Sequence, residues 1–325
     1  MLKNIILGLI LFTTIISAQA EELPTLKVGV LKYGTVNWEL KAMKQLQLDK
    51  QAGFNLQVVP FAGKQATATA IHGGAVDAMV SDWIWVSRQR ATGKDFGFAP
   101  YSRMVGGMMA GPDSEINDLQ DLSGKKIGIA GGPVDKSWVL FQALAKHKYG
   151  LNLKQSNELV FGAPPLLSEK LGSGELDVVI TFWHYAAKLE AKGYKRVIDV
   201  AESLQELMVN PDVPMLGYVF APELLNEQPD LANKLIQASR QVKAILADKG
   251  APLWEQLRPA MKAKDDATFN SLKNGFIAGI PASWGEEERQ AANELFATLA
   301  SIGGSKLVGD NQQLAPGTFV KTIKF

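Results

Sequence analysis

Two distant stretches of the chain repeat one pattern. Gly73-Gly74-Ala75-Val76-Asp77-Ala78-Met79-Val80 and Gly172-Ser173-Gly174-Glu175-Leu176-Asp177-Val178-Val179-Ile180 each read as a helix end, a glycine turn, a carboxylate and a buried strand. A glycine supplies the positive φ that ends a helix without strain. A helix returning through a short turn into a buried strand is the unit from which parallel α/β sheets are wound. Gly124-Lys125-Lys126-Ile127-Gly128-Ile129, running into Ala130-Gly131-Gly132-Pro133, is a further strand-to-turn unit between them. The pattern therefore demands two α/β lobes. Each strand carries its following loop to the carboxyl edge of a sheet, where open α/β sheets hold ligands. Asp77 and Asp177 stand at the opposite ends of their strands and read as structural caps.

Periodicity fills in the order of elements. A strand at 26–31 is followed by a loop at 32–38 and a helix stopped by Gly53. A strand at 54–59, a helix at 64–72 and a strand at 75–80 complete the first unit. The apolar stretch 104–110 reads as a crossing between lobes. The second unit has strands at 126–130, 159–161, 177–182 and 197–200, with helices at 136–147, 165–171 and 185–192. The stretch 213–220 reads as the return crossing. Helices are expected at 229–249, 251–262, 267–276 and 284–302, the last with Ser283 as N-cap, and 319–323 is a candidate for edge pairing.

The first residues follow a different logic. Lys3, an apolar run over 5–16 and Ala18-Gln19-Ala20 have the form of a secretory leader cleaved after Ala20. The run is shorter than the roughly 20 apolar residues needed to span a bilayer. The chain has no cysteine, which rules out thiolate chemistry, cysteine metal sites and a lipid-modified cysteine at the cleavage point. It has 34 Lys+Arg against 33 Asp+Glu, so nothing in its charge points to nucleic acid.

The residues Val28-Gly29-Val30, Gly74 with Val76-Asp77, Leu119 and Leu122 with Gly124-Lys125, Ile127-Gly128, and Leu171 with Gly174-Glu175 and Asp177 carry a resemblance. Over residues 23–305 the chain resembles the periplasmic substrate-binding proteins of ABC importers for taurine, aliphatic sulfonates, nitrate and the thiamine pyrimidine. The resemblance implies a type II periplasmic binding protein fold: two lobes, each a mostly parallel sheet flanked by helices, with two crossings at the hinge. The expected division is a leader at 1–20, a discontinuous first lobe at 21–105 and 217–325, and a second lobe at 106–216. It implies a monomer in the periplasm of a Gram-negative cell. Such a protein would bind a small molecule in the interlobe cleft and deliver it to a permease at the inner membrane, without cofactor, metal or catalysis.

The loops at the expected ligand end hold the candidate site residues. Trp38, Trp83 and Trp183 offer flat apolar walls. Asn37, Ser81, Asp82, Asp135, Ser137 and His184 offer hydrogen bonds. Gly63 with Lys64, and Gly132 in the Gly131-Gly132-Pro133 turn, present backbone N–H groups at helix starts, which suits an anion. Asp82 and Asp135 argue the other way, as does the scarcity of arginine, so the ligand expected from these loops is neutral or cationic, with an aromatic or amine part; a sulfonate, taurine or nitrate binder is the alternative. An enzyme resembling those of thiamine-pyrimidine synthesis is disfavoured by the lack of cysteine and by the leader. A metal-binding protein is disfavoured by only three histidines, His72, His147 and His184. A periplasmic sensor is a further alternative.

Overall fold

The computed structural model describes residues 22–323 except Val134, so the expected leader lies outside the described residues. The chain begins with β1 (Thr25–Leu31), α1 (Val36–Gln45), α2 (Leu48–Gln51), β2 (Asn55–Phe61), α3 (Lys64–His72), β3 (Ala78–Asp82), α4 (Trp83–Ala91) and β4 (Gly97–Ser102). It then crosses into β5 (Gly106–Ala110), β6 (Lys126–Ala130), α5 (Lys136–Tyr149), β7 (Glu158–Gly162), α6 (Pro164–Gly172), β8 (Val178–Phe182), α7 (Trp183–Glu190), β9 (Lys195–Asp199) and α8 (Val200–Glu206). The return strand is β10 (Leu216–Phe220). The helices α9 (Pro222–Glu227), α10 (Pro229–Leu246), α11 (Leu253–Met261), α12 (Asp266–Ala278), α13 (Glu286–Gly303) and α14 (Ser305–Val308) follow.

Two five-stranded sheets result, ordered β2-β1-β3-β10-β4 and β7-β6-β8-β5-β9. The first three strands of each are parallel, and the fourth is antiparallel. That fourth strand is in each case the one that has just arrived from the other sheet. β5 slots beside β8 and β10 beside β3, so the two crossings are wired into both sheets rather than hung from their edges.

The repeated carboxylates do the same work twice. Lys27 N–H donates to Asp77 Oδ2 at 2.7 Å, and Asp77 N–H donates back to Lys27 O at 2.9 Å. Lys126 N–H donates to Asp177 Oδ2 at 2.7 Å, and Asp177 N–H to Lys126 O at 3.0 Å. Each aspartate thus clips the entry of its strand to the start of its neighbour, β1 or β6, at the end of the sheet away from the ligand loops. The charged acceptor on a backbone donor makes the clip stronger than a neutral bond.

The segment 83–91, for which the sequence reading expects no helix, is helix α4. Trp83-Ile84-Trp85-Val86 carries bulky β-favouring side chains and no polar face. Trp83, Ile84 and Val86 are buried, so the helix has little amphipathic signature. The C-terminal segment pairs at an edge as expected: Phe98 N–H donates to Thr318 O at 2.8 Å and Val320 N–H to Phe98 O at 3.0 Å. The last long helix starts at Glu286 with Gly285 as N-cap rather than at Trp284; Ser283 instead bonds the Glu288 carboxylate, whose other oxygen accepts from Gly285 N–H.

Apolar packing is continuous between the sheets. One cluster runs from Trp83 and Phe98 through Phe296 to Met108, Ile127, Trp138 and Phe141. Another joins Leu26, Val28, Trp38 and Phe276 to Trp183 and Ala187. Helices α12 and α13 lie against α7 and α5 respectively, bridging the two lobes.

Candidate functional site

The carboxyl ends of β3 and β6 bring two helix starts face to face. Asp82 caps α4, accepting from Trp85 N–H at 2.8 Å, and Asp135 caps α5, accepting from Ser137 N–H at 3.0 Å. Both carboxylates are buried. Each also meets a lysine from the opposite lobe: Lys136 Nζ lies 2.6 Å from Asp82 Oδ2, and Lys64 Nζ lies 3.2 Å from Asp135 Oδ2. The pairs are reciprocal, since each lobe gives one cap carboxylate and one lysine. They form a latch across the cleft, in which each carboxylate meets a lysine and the N-terminal end of a helix dipole.

Glycine makes this geometry possible at two places. Gly131 and Gly132 both have left-handed φ, +88° and +89°. A Cβ on Gly131 would sit 2.5 Å from Asp135 Oδ2, so a side chain there would push the cap carboxylate away. A Cβ on Gly106 would sit 2.4 Å from Thr181 O and 3.0 Å from Ser137 Oγ. Gly106 thereby lets the first turn of α5 close onto the end of β8, bringing Ser137 next to Thr181. The Thr181 hydroxyl is buried and has no hydrogen-bond partner. An orphaned buried hydroxyl costs about 1–3 kcal/mol. It lies on β8, whose Thr181 backbone oxygen and the Ser137 hydroxyl at the start of α5 both stand close to Gly106.

Further along the cleft, Phe182 lies under the Lys64 ammonium, 4.8 Å from the ring centroid, and His184 follows. The His184 imidazole is buried and has the Tyr33 backbone of the other lobe as hydrogen-bond partner. Burial, with the Lys188 ammonium adding to it, pushes its pKa down to about 3. It is neutral across the ordinary pH range. In the unfolded chain His184 takes up a proton near pH 6.5, while in the fold it does not until about pH 3. Stability is therefore expected to fall as pH drops below about 6.5, by up to about 1.4 kcal/mol per pH unit from this group. His184→Gln should flatten that part of the profile in urea titrations run at pH 4–7. An unchanged slope would place the imidazole in solvent.

The structure redistributes the residues expected from sequence. Lys64, Asp82, Asp135, Ser137 and the Gly131–Gly132 turn are brought together, with Gly63 as the N-cap position of α3 and Ser81 half-buried at the end of β3. Three tryptophans expected at the cleft wall are in the packing instead. Trp83 is wholly buried, its indole N–H donating to Pro214 O at 3.2 Å, and Trp38 stands edge-on to Trp183 with centroids 5.9 Å apart. Asn37 spends its amide N–H groups on Leu31 O and Gly34 O, both at 2.8 Å, and so shapes its own loop. Sequence reasoning did not single out Lys136, Tyr33 or Tyr185. Their places in the loop regions were visible, but their pairing across the cleft had no local signal. Asp82 and Asp135, read from sequence as charges at the ligand end, each face a lysine of the opposite lobe and a helix N-terminus.

Among the described residues no group of three or more histidines and carboxylates can hold a metal ion. No helix among them is long and apolar enough to cross a membrane.

Two like-ordered sheets joined by two wired crossings, with helix starts and loops from both meeting in one cleft, define the two-lobe periplasmic-binding-protein fold. The NMT1/THI5 like family model matches residues 49–248, more than half of the chain, and the chain belongs to that family. Among solved structures it is similar to the alkanesulfonate-binding protein SsuA from Xanthomonas axonopodis pv. citri bound to MOPS. That match has a TM-score of 0.70 at 14% identity and covers 92% of this chain and 99% of that one. It is also similar to the periplasmic aliphatic sulphonate binding protein SsuA from Escherichia coli, with a TM-score of 0.65 at 16% identity, covering 90% and 97%. A mutant of DSZB in complex with biphenyl-2-sulfinic acid shares the fold too, with a TM-score of 0.57 at 15% identity, covering 91% and 97%. No curated protein matches the chain.

Proposed function

We propose that this protein is the solute-binding component of an ABC importer: exported through its leader, it captures a small organic molecule between its lobes and hands it to a membrane permease. The observation that carries this reading is the convergence of polar and aromatic groups from both lobes on one cleft, closed by the reciprocal Asp82–Lys136 and Lys64–Asp135 pairs. A ligand touching both lobes favours the closed arrangement by its differential affinity for it. Binding rather than catalysis is supported by the cleft's chemistry. There is no cysteine in the chain, and His184 is buried and neutral, so it is a poor general base.

The ligand we propose is a small organic anion with an apolar or aromatic body, the alternative reading from sequence. Its acidic group would sit at the start of α5, taking the Thr181 hydroxyl and, by exchange with the cap carboxylates, the Lys64 and Lys136 ammoniums. Its body would lie along Phe182. The sulfonate binders that share the fold agree with this chemistry.

Thr181→Val tests the seat. The exchange is nearly isosteric and removes an orphaned polar atom, so the free protein should be as stable as wild type or slightly more so. A thermal-shift screen of alkyl and aryl sulfonates, carboxylates and amine-bearing heterocycles should give stabilisation by an anion, and Thr181→Val should weaken it about tenfold, the value of one charge-assisted hydrogen bond. Stabilisation by the amine-bearing compounds alone would restore the neutral or cationic ligand and refute the anion seat.

A further inference from the structure

A second group of charges lies where the β1–α1 loop meets α7 and the end of α11. Tyr33 is half exposed, and two ammoniums flank its ring: Lys262 Nζ at 4.4 Å and Lys32 Nζ at 5.7 Å from the centroid. Across the cleft, Lys188 Nζ stands 5.7 Å from the ring of Tyr185. The two tyrosines are near enough for the charge of Tyr33 to raise the Tyr185 phenol, after burial has done so. Burial lowers the Lys188 ammonium, and Lys262 and Lys192 lower it further.

These lysines differ from Lys64 and Lys136 in one respect. Among the described residues, none of Lys32, Lys188, Lys192 and Lys262 forms an ion pair with a carboxylate. The nearby carboxylates are engaged elsewhere: Glu255 and Asp266 with Arg258, and Asp265 as the cap of α12, accepting from Thr268 N–H. Lys262 also has a left-handed backbone, φ +53°, as the C-cap of α11. A non-glycine residue in that region costs about 1 kcal/mol or more. Like charges gathered at a half-buried position, one of them on a strained backbone, are unfavourable in the empty protein and become favourable around an anion.

We propose that Tyr33, Tyr185, Lys32, Lys188 and Lys262 form a second binding site at the edge of the cleft, for an oxyanion carrying two or more negative charges. Ammoniums act as compact point charges and phenols as single donors, so the site suits a tetrahedral or condensed oxyanion with several acceptor oxygens more than a planar carboxylate gripped by a fork. Tyr33 and Lys32 come from one lobe and Tyr185 and Lys188 from the other, so the site is complete only in the closed arrangement. A bound oxyanion would add to the closure that the solute drives. Partial enclosure between the lobes points to a free anion rather than a lipid headgroup.

The test is calorimetry of inorganic pyrophosphate into the full mature chain at constant ionic strength. Saturable one-to-one binding is expected. It should weaken at least tenfold in Lys188→Met/Lys262→Met and stay unchanged in Lys125→Met, a lysine of the turn before β6. Thr181→Val separates this site from the solute seat: it should leave pyrophosphate binding intact even where it abolishes binding of an organic anion. Four results would overturn the proposal. They are no heat at millimolar pyrophosphate, equal binding in the double lysine variant, loss of binding in Thr181→Val, and lysine-dependent retention on phosphatidylglycerol vesicles without pyrophosphate binding.

Discussion

Glu39→Gln and Lys243→Met should each cost about 3–5 kcal/mol of stability, among the largest losses available to a single substitution here. Both side chains are buried in the first lobe. Lys243 Nζ lies 3.2 Å from Glu39 Oε2 and donates to Ser239 Oγ at 3.0 Å, while Tyr218 O–H donates to Glu39 Oε1 at 2.7 Å. The same ammonium lies 4.3 Å from the centroid of Tyr101, whose ring meets Tyr218 edge-on. Burial pushes both phenols up, and the Glu39 charge adds to it, so they stay protonated as donors. Removing one member leaves a buried charge without its partner, whereas Glu39→Leu/Lys243→Met removes both and should recover much of the loss. Tyr101 and Tyr218 stand on β4 and β10, the strands that leave and re-enter the first sheet at the two crossings. The network therefore anchors the hinge strands to α1 and α10. Urea unfolding of the two single variants and the double variant measures it. Single variants within 1 kcal/mol of wild type would show that the ions are solvated.

Trp183→Ala should lose about 3–5 kcal/mol, the range for truncating a large aromatic side chain in a core. Trp183 opens α7 in the second lobe, yet it is buried against Trp38 of α1 and packs on α12. Gly275 on α12 makes room for it: a Cβ there would lie 2.6 Å from the indole ring. Gly275→Ala should thus destabilise by about 1–3 kcal/mol through overpacking, and less so when combined with Trp183→Ala, because the clash is then gone. Thermal and urea unfolding of this cycle would separate two roles. Wild-type stability with lost solute binding in Trp183→Ala would return Trp183 to the cleft wall, where the sequence alone had put it.

Those two cases show why some features could be read from the chain and others could not. The glycine–carboxylate–strand units are local, and each contains its turn, its clip and its strand within a few residues. Their repetition was enough to establish two α/β lobes. Glu39 and Lys243 lie on helices with charged neighbours, and nothing nearby in sequence reports that Tyr218 and Tyr101 cover them. The latch was half visible. Asp82 and Asp135 stood out as polar residues at strand ends, but their lysine partners come from the opposite lobe. The tryptophans misled for a physical reason: at the end of a strand an indole can face the cleft or fold back into the core, and local pattern does not distinguish the two. Helix α4 was missed because its apolar residues are bunched in its first turn rather than spaced along one face.

The central claim is that solute is held between the lobes and draws them together. Amide hydrogen exchange tests it most directly, comparing the protein alone with the protein saturated by the organic anion that stabilises it most in the thermal-shift screen. Slowed exchange is predicted together in residues 81–85 of the first lobe and in residues 131–138 and 181–185 of the second. Protection confined to one lobe, or to segments away from these loops, would contradict the claim.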